Sequence, residues 1–541
     1  MIPQKLFLTL IFIFASFGLS LANDVYLAQS AQGGNTGADC ADAKAYSYFN
    51  SSGNWTSGTS GGTQIGPGTT VHLCGTFTMP AGTVCALSFQ GGGSPTGGQV
   101  TLLFEANALA TAPYWTTQTA NSSGNIGGFI CGSGQNYITV DGGTNGTIQA
   151  TANGANLGNN NSGAAICMSG SSNSEVKNVT IANMYVASKN SGANGNNTYA
   201  IVWLGGSNVT IDNNTTHDCR WCIQYWYPGS STSSNLQIFN NTIYNTDHCI
   251  SIGDGNGSAI LNGTNLVYGN VCHDWFMFDN GGSDHHDGFH IWAVHGGSVI
   301  KDIKIYNNYI YGDIGQTATA YLYIDVENGD SVTSITTEIF NNLIVNSSAS
   351  DDVSTGGGGD GLSFCQGSST CFYYNNTFVG ATTGGCCNNI AIQTQTTTGT
   401  PALTLENNIY STLALAVDTS EGGTIVASDY NDYYNLGSGA VRTRSGIDSF
   451  SQWQASSGDD GHSVTGNPQL NSSYHLTNST SAAWQAGTNL TGVNLATLDI
   501  DRAGVQRPPS SPPNWDMGVY YDSGSGSTSP AAPTGLAAQV N

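Results

Sequence analysis

The sequence predicts an all-β solenoid, in which coils of short strands stack one on the next, and three observations predict it. A cassette of apolar alternation, an Asn pair and a second short alternation recurs as "VTIANMYV", "VTIDNNTT", "LQIFNNTI", "LVYGNVC", "IKIYNNYI", "TEIFNNLI", "FYYNNTF" and "LTLENNIY". The last Asn of each cassette falls at Asn183, Asn214, Asn241, Asn270, Asn308, Asn342, Asn376 and Asn408, so the steps are 31, 27, 29, 38, 34, 34 and 32 residues. Self-similarity at this period marks a solenoid or array. The period-2 alternation and β-branched residues select strands over helices.

The elements follow in chain order. Residues 1–22 carry Lys5, an apolar run from Leu6 to Phe17 and the small-x-small end Ser20-Leu21-Ala22, the pattern of a secretory signal peptide cleaved before Asn23. Residues 23–67 are expected to cap the open strand edges. Residues 68–435 form the solenoid, where three short strands per coil pair with their equivalents above and below. Asn repeated at an inward turn can hydrogen-bond its copies and satisfy buried amides, which predicts an Asn ladder. Residues 436–521 are read as a C-terminal closing segment. Residues 522–541 are read as a Gly/Ser/Pro-rich linker or truncated module.

At this point the chain resembles the right-handed parallel β-helix proteins of the pectate-lyase-like superfamily, from about Val71 ("TVHLCGTF") to Tyr434. The closing stretch "LDIDRAGVQRPPSSPPNWDMGVYY" is similar to that of many bacterial β-helix proteins. The resemblance implies a secreted polysaccharide-active enzyme. It is specific for fold and says little of activity.

Composition bounds the partners. Only 9% of residues are charged, with 11 Lys+Arg against 35 Asp+Glu and a formal net charge of -24. That balance excludes nucleic acid and anionic membranes as partners. It also weighs against a polyanionic glycan unless cations bridge the two. No run after the signal peptide is long enough to span a bilayer. A monomer acting on a polysaccharide is the expectation. Thirteen cysteines in an exported chain predict several disulfides and at least one thiol left over. Cys222 and Cys249, at equivalent positions of consecutive coils, are one expected pair, with Cys365/Cys371 and Cys40/Cys74 as others. The vicinal Cys386–Cys387 are expected to pair elsewhere.

Aligning the strand after each Asn turn gives two outward columns. One holds Val202, Gln224, Ser251, His290, Tyr323, Ser363 and Ala391. The other holds Leu204, Trp226, Gly253, Trp292, Asp325, Cys365 and Gln393. Flat aromatics beside amide, imidazole and carboxylate groups suit a sugar ring, so Gln224, Trp226, Trp292, Tyr323 and His286 are candidate substrate contacts. The plainer reading is that they only cover the solenoid. Asp325 and Glu327 share a strand face about 6.5–7 Å apart, near the lower end of the carboxylate spacing in inverting glycoside hydrolysis. Glu327 could equally cap the turn "VENGD". His290 could orient a carboxylate or act as acid or base.

In "DNGGSDHHDGFHIW", Asp284, His285, His286 and Asp287 precede the strand. Asp284 and Asp287 could hold Ca²⁺, and the mixed His/Asp content could equally suit a transition metal, without the spacing of a known zinc motif. Asp287 is also a candidate catalytic residue, although it aligns with His248 and Asp360 as ordinary turn chemistry would. No cofactor is required for hydrolysis. His217–Asp218 and His273–Asp274 recur at equivalent turns, with Tyr244–Asn245 between them, which reads as structure first. Arg220 is the basic residue nearest the groove. The resemblance implies Arg220 as proton-abstracting base if the chain is a lyase. Two chemical classes thus stand, hydrolase and Ca²⁺-assisted lyase, beside a non-catalytic glycan-binding or surface protein.

Overall fold

The computed structural model describes residues 24–58, 63–116, 127–152, 163–184, 198–227, 232–255, 258–275, 286–314, 318–327, 332–347, 361–381 and 387–522. The signal-peptide reading, the tail beyond Asp522, and Asp284, His285, Asp360 and Cys386 lie outside them. The fold is the expected right-handed parallel β-helix, wound in the sense that twisted parallel strands favour. Among the described residues, a 15-stranded sheet forms one face, and each coil adds two further stretches to a 23-stranded sheet. Equivalent strands pair in parallel coil to coil.

Alternation fills the tube. Val176, Ile211, Ile238, Val267, Ile305, Ile339, Tyr373 and Leu405 follow one another in register through eight coils. All eight are fully buried. Each such aliphatic side chain contributes about 1.5–3 kcal/mol by leaving water.

The Asn pair has a division of labour. The first member turns the corner with a left-handed backbone: Asn213, Asn240, Asn307, Asn341, Asn375 and Asn407 have φ between 54° and 60° except Asn375 at 52°. Where the cassette reads "YGNV", Gly269 takes that place at φ 64°, because glycine adopts it without a Cβ penalty. The second member points inward. Its Oδ1 accepts from both the backbone N–H and Nδ2 of the preceding coil's Asn at 2.9–3.1 Å, from Asn214 through Asn241, Asn270, Asn308, Asn342, Asn376 and Asn408 to Asn431.

Two corrections follow. Asn183 is not in this ladder: Thr180 pairs with Thr215, so Val179 occupies the ladder position, and Asn183 sits one short strand later at φ 58°. Asn431, preceded by an aspartate and a tyrosine rather than another Asn, does end the ladder.

His217, Tyr244, His273 and Tyr311 stack ring on ring at 4.7–5.2 Å. Asp218, Asn245 and Asp274 beside them take φ between 53° and 56°. The repeated His-Asp pairs are therefore turn structure.

The C-terminal end is closed by a short helix, Phe450–Ser457, whose Trp453 packs on the core. Ser449 N–H donates to Gln452 Oε1 at 2.9 Å, capping its start. The chain then returns along the outside of the solenoid as a strap. Leu490, Leu498 and Trp515 cover the outward rings Tyr306, Phe340 and Tyr374. The strap is pinned to the corner asparagines. Asn341 Nδ2 donates to the carbonyl of Ile500 (2.9 Å), and Thr488 N–H donates to Asn407 Oδ1 (2.8 Å). Val519 N–H donates to Thr377 Oγ1 at 3.0 Å. Arg507, fully buried, donates to the carbonyls of Asp516 and Gly518 and to Asn341 Oδ1.

Cys40–Cys74 and Cys365–Cys371 are disulfides as expected, and Cys85–Cys131 is a further one. Cys222–Cys249 is not. The bonds are Cys219–Cys222 and Cys249–Cys272, with Cα–Cα distances of 5.2 and 6.3 Å. Coil stacking does bring Cys222 over Cys249, since their neighbours Ile223 and Ile250 pair. Four fully buried thiols converge at this corner, so stacking alone does not choose among them.

Candidate active site

The site sits where the second sheet bends. At the bend two consecutive residues of each coil face inward: Cys222–Ile223, Cys249–Ile250 and Tyr321–Leu322 all belong to the central core. The residues just before and just after such a pair therefore both face outward, on the two arms of the bend. Before it stand Tyr199, Trp221, His248, Asp287 and Ala320, and after it Val202, Gln224, Ser251, His290 and Tyr323, each in register with the next. Residues three apart, such as Asp287 and His290, thus meet across the corner.

A string of alternating nitrogen bases and carboxylates runs through that corner. Arg220 Nε lies 3.1 Å from Asp247 Oδ2, and His248 Nδ1 lies 3.2 Å from Asp247 Oδ1. His248 Nε2 is 3.1 Å from Asp287 Oδ2, which is 3.2 Å from His290 Nδ1. His290 Nε2 reaches Asp325 Oδ2 at 3.5 Å. His286 Nε2 approaches Asp247 Oδ1 at 3.6 Å. Backbone and ring contacts hold the string: Ala320 N–H donates to Asp287 Oδ1 (3.3 Å), and Trp275 Nε1 to the Asp287 carbonyl (2.8 Å). Trp221 stacks on His248 at 4.0 Å, His248 on His290 at 5.7 Å, and His290 on Tyr323 at 4.6 Å.

Burial tunes these groups in different directions. At His248 it works against the charge, yet Asp247 and Asp287 on its two nitrogens hold the imidazole up at about 9. At His290 burial wins over Asp287, and the charge of His248 adds to it, lowering the ring to about 4. Asp247 is pulled down to about 2 against its own burial by His248, His286 and Arg220.

An aromatic edge borders the string. Trp221, Trp226 and Trp292 remain part-exposed. Trp221 meets Trp292 edge-on at 5.9 Å, and His290 lies 4.8 Å from Trp292. The Trp292 indole lies flat over Gly253, where a Cβ would fall 1.6 Å from its ring.

The sequence-derived candidates divide as follows. Asp287, His290, Asp325, His286 and Arg220 are brought together. Of the expected pair, Asp325 is buried on the strand, whereas Glu327 is exposed just past its end at Val326, near enough for its charge to favour the protonated His290. Gln224, His290, Tyr323 and Asp325 were expected on an open surface, but all are buried. The outward columns also slip beyond the coil of Asp325, by one residue in the next coil and by two in the one after. Tyr323 is opposite Phe364, and Phe364 opposite Gln393, not Ser363 and Ala391. The second column correspondingly continues to Gln366 rather than Cys365. The bend is the cause, because two successive inward residues, Leu362 and Ser363, break the period-2 count. Of the Ca²⁺ reading, Asp284 lies outside the described residues, and Asp287 faces imidazoles.

Asp247, His248 and Trp221 are the site members that sequence reasoning missed. The available signal was "TDHCI" one coil before "HHDGF": two polar clusters placed identically ahead of the inward pair.

Fold and site together define a parallel β-helix protein with a buried imidazole–carboxylate centre on its flank. No protein-family model matches the chain, and no curated protein matches it in sequence. Among solved structures, pectate lyase Pel9A aligns at 12% identity and TM-score 0.41, covering 93% of this chain and 97% of that one. A rhamnogalacturonan lyase aligns at 12% identity and TM-score 0.33 over 76% and 87%. A hyperthermoactive exopolygalacturonase from Thermotoga maritima aligns at 10% and 0.33 over 69% and 81%.

Proposed function

We propose that the chain is an exported enzyme that cleaves a neutral or weakly acidic polysaccharide by hydrolysis at this corner. One observation carries the reading: part-exposed tryptophans border a buried string of proton-carrying groups, so a sugar ring stacked on the indoles brings its glycosidic oxygen to the acids. Asp287 and Asp325, on either side of His290, are the two carboxylates required. One protonates the leaving oxygen, while the other takes a proton directly from the attacking water, and His290 between them orients both. Water's hydroxyl goes to the anomeric carbon as the bond to the leaving oxygen breaks. Arg220 serves as the countercharge of Asp247. A carboxylate 3.1 Å from its Nε favours the protonated guanidinium, so it is a poor proton acceptor. With that cation already matched by a carboxylate, little remains to hold a polyuronate, which favours hydrolysis over elimination.

A glycan panel with mass analysis of the products tests this. Products heavier by one water per cleavage are expected, and Asp325→Asn should retain binding while turnover falls roughly 10²–10⁴-fold. Unsaturated, ultraviolet-absorbing products would replace hydrolysis by elimination. Wild-type protein that binds glycan but turns over none in the panel would leave a binding protein.

A further inference from the structure

We propose that His248, Asp287 and His290 bind one divalent transition-metal ion of the zinc type. One nitrogen of each imidazole and one oxygen of Asp287 lie within 4.8 Å of one another, and all three residues are buried. Asp287 Oδ2 is 3.1 Å from His248 Nε2 and 3.2 Å from His290 Nδ1. Those separations match the edges of a coordination shell whose bonds are about 2.0–2.2 Å long.

The second polar atom of every prospective ligand is independently held. His248 Nδ1 faces Asp247 Oδ1 at 3.2 Å, and Asp247 is in turn anchored on Arg220. His290 Nε2 faces Asp325 Oδ2 at 3.5 Å. Asp287 Oδ1 accepts the Ala320 N–H. A carboxylate behind each ligating imidazole, and a hydrogen bond behind a ligating carboxylate, is how proteins orient metal ligands. A solvated cluster of acids would show none of this second layer.

The donor set selects the ion. Two nitrogens and one carboxylate oxygen suit zinc and its first-row neighbours, whereas Ca²⁺ takes six to eight oxygens. Three protein ligands leave a position for water or a sugar hydroxyl beside the tryptophan edge.

The site shares Asp287 and His290 with the hydrolytic reading and competes with it for them, since an ion on Asp287 takes that carboxylate out of the acid–base pair; its test uses no glycan. Full-length protein is stripped with chelator, reloaded with Zn²⁺ or Co²⁺, desalted and measured for metal. One ion per chain is expected, not displaced by excess Ca²⁺. The cobalt form should show paramagnetically shifted N–H signals from two imidazoles, which keeps the ligand assignment testable in wild-type protein. The double variant Asp287→Ala/His290→Ala should lose stoichiometric metal. Asp325→Asn should retain it with affinity reduced about 10–100-fold. Trace metal only in the wild type, displacement by Ca²⁺, absence of shifted imidazole signals, or full retention by the double variant would each overturn the proposal. Metal without turnover sinks hydrolysis alone, and turnover without metal sinks this site alone.

Discussion

Gly253 shows how much of the site rests on a residue that carries no chemistry. Its backbone lies beneath the Trp292 indole, so the absence of a Cβ is what lets the ring lie down. Gly253→Ala should leave the fold intact, since φ there is not in the left-handed region, yet displace the ring. Glycan affinity, measured by titration, is expected to fall up to about tenfold, in keeping with a lost aromatic contact of about 0.5–1.5 kcal/mol; unchanged affinity would remove Trp292 from the binding edge. Single residues were unevenly legible in the sequence. His290, Asp325 and Trp292 could be found because they continue a strand alternation that can be counted. His248 could be aligned with Asp287, as the register bears out, but its place in the site and that of Asp247 were hidden, because the doubled inward residues of the bend bring the residues before and after it together across the corner.

At the scale of elements, the Asn turn was readable in nearly all its detail. The pair recurs, and each rung uses both donors of an amide nitrogen and an oxygen that accepts twice. Asn308 illustrates the load on one rung. Its Oδ1 takes two bonds from Asn270, and its Nδ2 donates to the Val267 carbonyl and to Asn342 Oδ1. Asn308→Ala strands buried groups on both neighbouring coils and should cost roughly 2–4 kcal/mol by denaturant titration. A loss below 1 kcal/mol would mean that the ladder is decoration on a core sufficient by itself. Strand existence was equally legible, whereas registration across coils was not: Asn183 was placed in the ladder and Ser363 in the outward column because insertions and bends alter the count.

For the whole molecule, acidity is the property that folding modulates most. Burial raises Asp432 to about 8 and Asp516 to about 6. Asp212 rises to about 7 through burial and Glu175, and Glu338 to about 7 through burial and Asp302. Their ordinary values are 3.8 for the aspartates and 4.5 for Glu338. Between those values and the raised ones, the folded chain binds more protons than the unfolded chain, so stability declines as pH rises. The contribution is complete below about pH 4 and is lost by about pH 8. Melting temperature should therefore fall across that window, and Asp432→Asn should flatten the upper half. A wild-type profile that rises from pH 5 to 8 would contradict this account.

The strap has a consequence for how such a chain can change length. A solenoid bounded only by end caps can gain or lose a coil anywhere, because every coil meets its neighbours alike. Here the returning chain grips the coil of Asn407 through Thr488, then that of Asn341 through Ile500, then that of Thr377 through Val519. It works as a ruler laid along the stack. A coil inserted between Asn341 and Asn407 would push its marks out of alignment by about 4.8 Å, whereas a coil inserted upstream of the coil of Leu266 and Tyr268, the first that packs against the strap's apolar cluster, would leave these contacts in place. Growth and shrinkage by whole repeats are thus open to the part of the solenoid that precedes the strap and closed to the part beneath it.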